Sequence, residues 1–169
     1  MGHIITDLKE TFRRGNIFIQ LIYINVSIFI IGTLINVFLQ LFQHSIPDIF
    51  GIFALPASFI RFFHQPWSII TYMFMHGGFS HIFFNMFAVF MFGTVLERTW
   101  GPKRFLFYYI ACGIGAGLIQ EGVQYIKYIV DYSHYSQVDI GTGIIPMGEF
   151  LNMLTTVGAS GAVYAILLA

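Results

Sequence analysis

Residues 79–98 read Phe79-Ser80-His81-Ile82-Phe83-Phe84-Asn85-Met86-Phe87-Ala88-Val89-Phe90-Met91-Phe92-Gly93-Thr94-Val95-Leu96-Glu97-Arg98. From 79 to 96 there is no Asp, Glu, Lys or Arg. A helix of that length rises about 27 Å, close to the thickness of a bilayer core. His81 and Asn85 are four residues apart, so they share one side of such a helix. Polar groups are costly in hydrocarbon, and a pair of this kind usually faces a cavity or a partner. The segment therefore reads as a membrane-spanning helix with a polar patch near its start.

The whole chain has the same character. Of its 169 residues 57% are hydrophobic and only 9% charged, whereas a soluble domain carries about a quarter charged residues. Twenty phenylalanines exceed what one small water-soluble core can bury, so lipid must act as part of the solvent. The formal net charge is zero, which gives no reason to expect a nucleic-acid or acidic-substrate partner. The one cysteine, Cys112, lies in an apolar run and cannot form an intrachain disulfide. No cleavable signal peptide is expected: the first sixteen residues are too polar, and the apolar run after them is too long.

Working outward, residues 17–42 are free of charge and form a first expected span. Lys9, Arg13 and Arg14 precede it, which by the positive-inside rule puts residues 1–16 in the cytoplasm. Residues 43–78 are broken by Pro47, Pro56 and Pro66 but are rich in aromatics. Two readings stand for them: a segment lying in the outer membrane interface, or a loop packed over other helices. The second span, 79–96, ends in a short cationic turn with Arg98, Lys103 and Arg104, again on the cytoplasmic side. A third span covers 105–123, and its Gly113, Gly115 and Gly117 let a neighbouring element approach closely. Residues 124–157 form a long outer loop, and no acidic residue is expected inside any span. A fourth span starts near Gly158. Only twelve residues run from there to Ala169, whereas a spanning helix needs about twenty, so a longer chain is expected. The fold class is all-α: a polytopic membrane helical bundle forming one domain over 1–169.

This topology brings His81, Asn85 and Ser160 to similar depth below the outer face, because the second and fourth spans both enter from it. Ser160 stands in Gly158-Ala159-Ser160-Gly161, where the flanking glycines allow close backbone approach and leave the hydroxyl exposed. If a helix starts there, its free N–H groups can receive an oxyanion, with His81 and the Asn85 amide as further donors. That is half of an acyl-transfer site. Each piece alone has a plainer reading. Gly-x-Ser-Gly is often packing glue between membrane helices, and His81 or Asn85 can be an interhelical hydrogen bond. Tyr164 alone is an ordinary packing aromatic. His76 and His81, five apart, are about 140° around a helix with no Cys or carboxylate close by, so no metal is expected. No cofactor is expected either.

Together the residues resemble the rhomboid family of intramembrane serine proteases. Pro66-Trp67-Ser68-Ile69-Ile70-Thr71-Tyr72-Met73-Phe74-Met75-His76 resembles the approach to that family's second helix. His76-Gly77-Gly78-Phe79-Ser80-His81-Ile82-Phe83-Phe84-Asn85 is similar to its histidine-rich HxxxN signature. Glu97-Arg98-Thr99-Trp100-Gly101 resembles the following turn, and Gly158-Ala159-Ser160-Gly161 the GxSG nucleophile motif, extended by Ala162-Val163-Tyr164. The resemblance implies Ser160 as nucleophile, with His81, Asn85 and the Ser160 amide as the oxyanion hole. Tyr164 takes the place of the aromatic beside the catalytic histidine, and His76 has a structural role. It implies transmembrane segments of other membrane proteins as substrates, cut near the outer face, in a bacterial inner membrane. It also implies six spanning helices, of which these residues hold four.

Three departures stand out. The general base of the family is a histidine on the sixth helix, and no histidine follows Ser160 here. A serine hydroxyl is a poor nucleophile without an adjacent base. There is no Trp-Arg pair in the first outer loop; Arg61 and Trp67 are six apart. Residues 122–157 are longer than usual. A competing reading is an inactive rhomboid-like protein that binds transmembrane helices without cutting them. Retention of Ser160 favours the enzyme. A transporter or channel is a third reading, disfavoured by the expected lack of intramembrane acids.

Overall fold

A computed structural model describes residues 16–42 and 49–169. The cytoplasmic assignment of the N-terminal segment rests on residues that lie outside these. Helix α1 (Ile17–Leu41) has no Pro, a single Gly (Gly32) and only scattered polar side chains. Helix α5 (Phe79–Trp100) is followed by α6 (Pro102–Lys127). Gly101 separates them with φ +83°, and Pro102 occupies the first helical turn, where its missing N–H is harmless. The stretch Pro102–Tyr132 continues α6 through a π turn at Tyr128–Tyr132. These three helices are long and apolar enough to cross a membrane. Phe83, Phe84, Phe87 and Phe90 are exposed along α5, as lipid-facing side chains would be. The chain is an integral membrane protein with an all-α polytopic fold.

Two helices run further than their hydropathy suggests. α5 continues past residue 96 to Trp100, and α6 past residue 123 to Lys127. The polar cluster Gln120-Glu121 looks like a helix end, but backbone hydrogen bonding continues through it. Glu121 is buried within α6, so the expectation that no acidic residue lies inside a span is corrected.

Between α1 and α5 the described residues contain four short elements: α2 (Ile49–Phe53), β1 (Leu55–Pro56), α3 (Phe59–His64) and α4 (Ser68–Thr71). A 3₁₀ turn, Tyr72–Phe74, leads on toward α5. Ser58 caps α3 by accepting from the Arg61 N–H. Burial supports the packed-loop reading for part of this segment. Leu55, Ser68, Tyr72 and Met73 are buried as in a packed loop, while Phe59, Ile60 and Phe63 remain exposed. Hydrogen bonds knit it together. Trp67 Nε1 donates to Ile52 O at 2.9 Å, and Thr71 Oγ1 to Phe53 O at 2.7 Å. Arg61 donates to the carbonyls of Gly51 and Asn152.

The segment after α6 holds a hairpin, β2 (Gln137–Asp139) with β3 (Ile144–Pro146), then α7 (Met147–Met153) and β4 (Thr155–Thr156). β4 pairs antiparallel with β1, Leu55 opposite Thr156 and Pro56 opposite Thr155, and Ala57 N donates to Leu154 O at 2.9 Å. The last helix, α8 (Ser160–Leu168), packs against both α5 and α6.

Two contacts set the register of the bundle. At one end the Glu97 carboxylate accepts from the N–H groups of Ile17 and Phe18, each at 2.9 Å, closing the start of α1. Carboxylates at helix N-termini are favoured by the helix dipole and satisfy otherwise orphaned donors. Nearer the other end the small face of α6 receives the segment before α5. A Cβ on Gly113 would run into Met73, and one on Gly117 into Ile69 and Tyr72. The glycine face thus admits a short helix and its 3₁₀ turn. Gly115 has open space and takes no part.

Candidate active site

Tyr72 organises the entry to α8. Its carbonyl accepts from Gly158 N–H at 2.9 Å, and its hydroxyl donates to Gly113 O at 2.6 Å. Gly158 therefore follows β4 at a fixed position, and it takes φ +117°, a conformation that favours glycine. On its other side is the half-buried His81 in the first turn of α5. A Cβ on Gly158 would lie 2.5 Å from His81 Nε2 and 2.6 Å from Cε1. No residue larger than glycine fits between the two elements without moving one of them.

Ser160 is the first residue of α8, half-buried, directly after the fully buried Ala159. The first N–H groups of a helix have no intrahelical acceptor, so the backbone around Ser160 presents donors. Val163 N closes the first turn onto Ala159 O at 2.9 Å. Gly161 faces α6 so closely that a Cβ would overlap that of Ala116. Asn85 is buried one turn along α5 from His81.

His76 lies in the chain between the 3₁₀ turn and α5. Its ring meets that of His81 edge-on, centroids 5.1 Å apart. It is buried, and neither ring nitrogen has a hydrogen-bond partner among the described residues. Burial lowers its pKa to about 4, and the neighbouring His81 pushes the same way. A neutral His76 is thereby held beside His81.

The structure brings Gly158 and His76 to His81, and sets Ser160 and Gly161 two and three residues beyond Gly158 at the start of α8. It does not gather Tyr164, which is 67% exposed on α8. His134 is exposed in the turn before the hairpin. Among the described residues no three His, Cys, Asp or Glu side chains cluster as metal ligands would. Sequence reasoning missed Tyr72 and Ala116. Tyr72 lies within the quoted approach to α5, but nothing in its spacing announces that its carbonyl would hold Gly158. Ala116 sits between the glycines already noted, where a further small residue adds no separate signal.

A polytopic helical membrane protein with a serine opening one helix, a histidine on the next, and a left-handed glycine between them belongs to a narrow class. A rhomboid domain family model matches residues 64–169. The chain belongs to the rhomboid family of intramembrane proteases. Among curated proteins, the rhomboid protein YdcA of Bacillus subtilis is 32% identical over 100 residues, covering 59% of this chain and 37% of that one. Rhomboid protease AarA of Providencia stuartii is 33% identical over 100 residues, covering 59% and 31% respectively. Rhomboid protease GluP of Bacillus subtilis is 42% identical over 48 residues, covering 28% and 10%. The match thus spans about a third or less of the length of these relatives.

Proposed function

We propose that this chain carries the nucleophile and the anion-binding half of an intramembrane serine endopeptidase. The observation that carries the reading is Gly158, held at φ +117° against the His81 ring, two residues before Ser160 at the start of α8. In this mechanism Ser160 Oγ attacks the carbonyl carbon of a peptide bond while its proton passes to a general base. The carbonyl oxygen becomes an oxyanion, held by His81, the Asn85 amide and the Ser160 N–H. One such donor contributes about a hundredfold or more to the rate in known acyl-transfer sites. The intermediate collapses, the amine leaves with a proton, and water then hydrolyses the acyl-enzyme.

The substrates are transmembrane segments of other membrane proteins, cut near the outer face, and the setting is a bacterial inner membrane with the N-terminus in the cytoplasm. Gly158 and Gly161 permit the close approaches around Ser160. His76 supports His81, and Tyr164 is reserved for packing beside the base. The base is the one element that no residue after Ser160 supplies. The family resemblance assigns it to a histidine on a sixth helix.

A fluorophosphonate probe tests the nucleophile. The whole protein is expected to be labelled, and Ser160→Ala to be unlabelled; equal labelling of both would remove Ser160 from its role. The 169 residues alone are expected to show no proteolysis, and Ser160-dependent cleavage by them would overturn the assignment of the base.

A further inference from the structure

Outside this site, four buried polar atoms without a partner among the described residues belong to Glu121 of α6 and to the residues at the start of α4. Both carboxylate oxygens of Glu121, Ser68 Oγ and Gln65 Oε1 are buried without a hydrogen-bond partner among the described residues. Glu121 is 4% exposed and Ser68 0%. The packing register sets them side by side. Met73 lies against Gly113, and Ile69 and Tyr72 against Gly117, so the two segments run in opposite directions. One turn further along α6, on the face of Gly113 and Gly117, is Glu121. Four residues before Tyr72, at the start of α4, is Ser68, and Gln65 stands one turn earlier, its carbonyl accepting from Ser68 N–H at 2.9 Å.

A carboxylate removed from water needs a compensating charge and filled lone pairs. No Lys, Arg or His supplies either to Glu121 among the described residues. The unpaired atoms that this register places on the same side, Ser68 Oγ and Gln65 Oε1, are oxygens. Oxygen-only sets of this kind suit hard cations, and a single carboxylate balances a single positive charge. We propose that Glu121, Ser68 and Gln65 form a buried site for a sodium-sized monovalent cation at the outer end of α6.

Such a cation would tie α4 to the helix that supports the entry to α8. One turn on from Glu121, Gln124 Nε2 donates to Thr156 Oγ1 at 3.2 Å, and Thr156 precedes Gly158 by two residues. The site rests on packing and burial alone and does not depend on the protease reading.

The test uses the purified chain in detergent, unfolded by heat in sodium chloride and in N-methylglucamine chloride at equal ionic strength. Sodium is expected to raise the melting temperature saturably, as a ligand of the folded state does. Equilibrium dialysis with radioactive sodium should give about one ion per chain. Glu121→Gln should weaken binding about tenfold or more. Ser68→Ala should weaken it less while leaving the fold intact, which keeps the test decisive if Glu121→Gln folds poorly. No difference between the salts, or a sodium effect that survives both substitutions, would overturn the proposal.

Discussion

Gly158 and His81 are in contact such that a methyl group on the glycine would stand 2.5 Å from His81 Nε2. The contact joins the strand before α8 to the first turn of α5, and it holds only while residue 158 has no side chain.

Gly158→Ala is therefore expected to suffer twice, from backbone strain at φ +117° and from displacement of the ring. Gly101 provides the comparison, since it also has positive φ but nothing near its missing Cβ. Strain alone costs about 1–3 kcal/mol. Gly101→Ala should lose that much stability and keep fluorophosphonate labelling of the whole protein. Gly158→Ala should lose labelling by about tenfold or more, because small displacements at a reacting centre are amplified. Equal labelling of the two variants would contradict the contact's importance.

Glu97 closes the start of α1 through two backbone N–H groups. Glu97→Ala leaves the buried Phe18 N–H unpaired, at about 1–3 kcal/mol, and the part-buried Ile17 N–H at less. Glu97→Gln keeps one acceptor and loses the charge that favours a helix N-terminus, so it should fall between wild type and Ala. Thermal unfolding in detergent reads the order. A Glu97→Ala melting temperature equal to wild type would refute the capping argument.

His76 gives a pH dependence with a definite sign. Its pKa is about 4 in the folded protein and about 6.5 when unfolded. Between those values the unfolded chain binds more protons. Stability is then complete above pH 6.5 and declines as pH falls toward 4, by on the order of 3 kcal/mol. Unfolding midpoints from pH 7.5 to 4.5 should show this slope, and His76→Gln should flatten it. A slope unchanged in His76→Gln would assign it to other groups.

Gly161 and Gly113 separate two kinds of close contact. Gly161 meets the Cβ of Ala116, which cannot swing aside, whereas Gly113 meets the flexible end of Met73. Gly161→Ala should cost about 1–3 kcal/mol as overpacking does, and Gly113→Ala less. Ala116→Gly in the Gly161→Ala background should restore part of the loss, a coupling that a double-mutant cycle measures.

Much of this was legible in the chain. The three long helices follow from apolar runs that water cannot accommodate. The serine and histidine motifs were visible in the chain, and the structure sets Gly158 of the first against His81 of the second. What was hidden depended on tertiary packing. Glu121 looked like the edge of a loop because polarity normally marks a helix end, yet α6 continues through it and buries it. The pairing of Leu55 with Thr156 had no local signal, since two-residue strands are too short for alternation to show. Tyr72 acts mainly through its backbone carbonyl, and a carbonyl leaves no trace in residue type.

The β1–β4 ladder also has a timetable. Leu55 emerges during synthesis about a hundred residues before Thr156, its partner. The segment between α1 and α5 must therefore wait, unzipped, until α5 and α6 have been made. Only the arrival of the segment between α6 and α8 can latch it shut. Assembly is thus expected to finish at this end of the bundle, where the last stitch also positions the residues leading to Ser160.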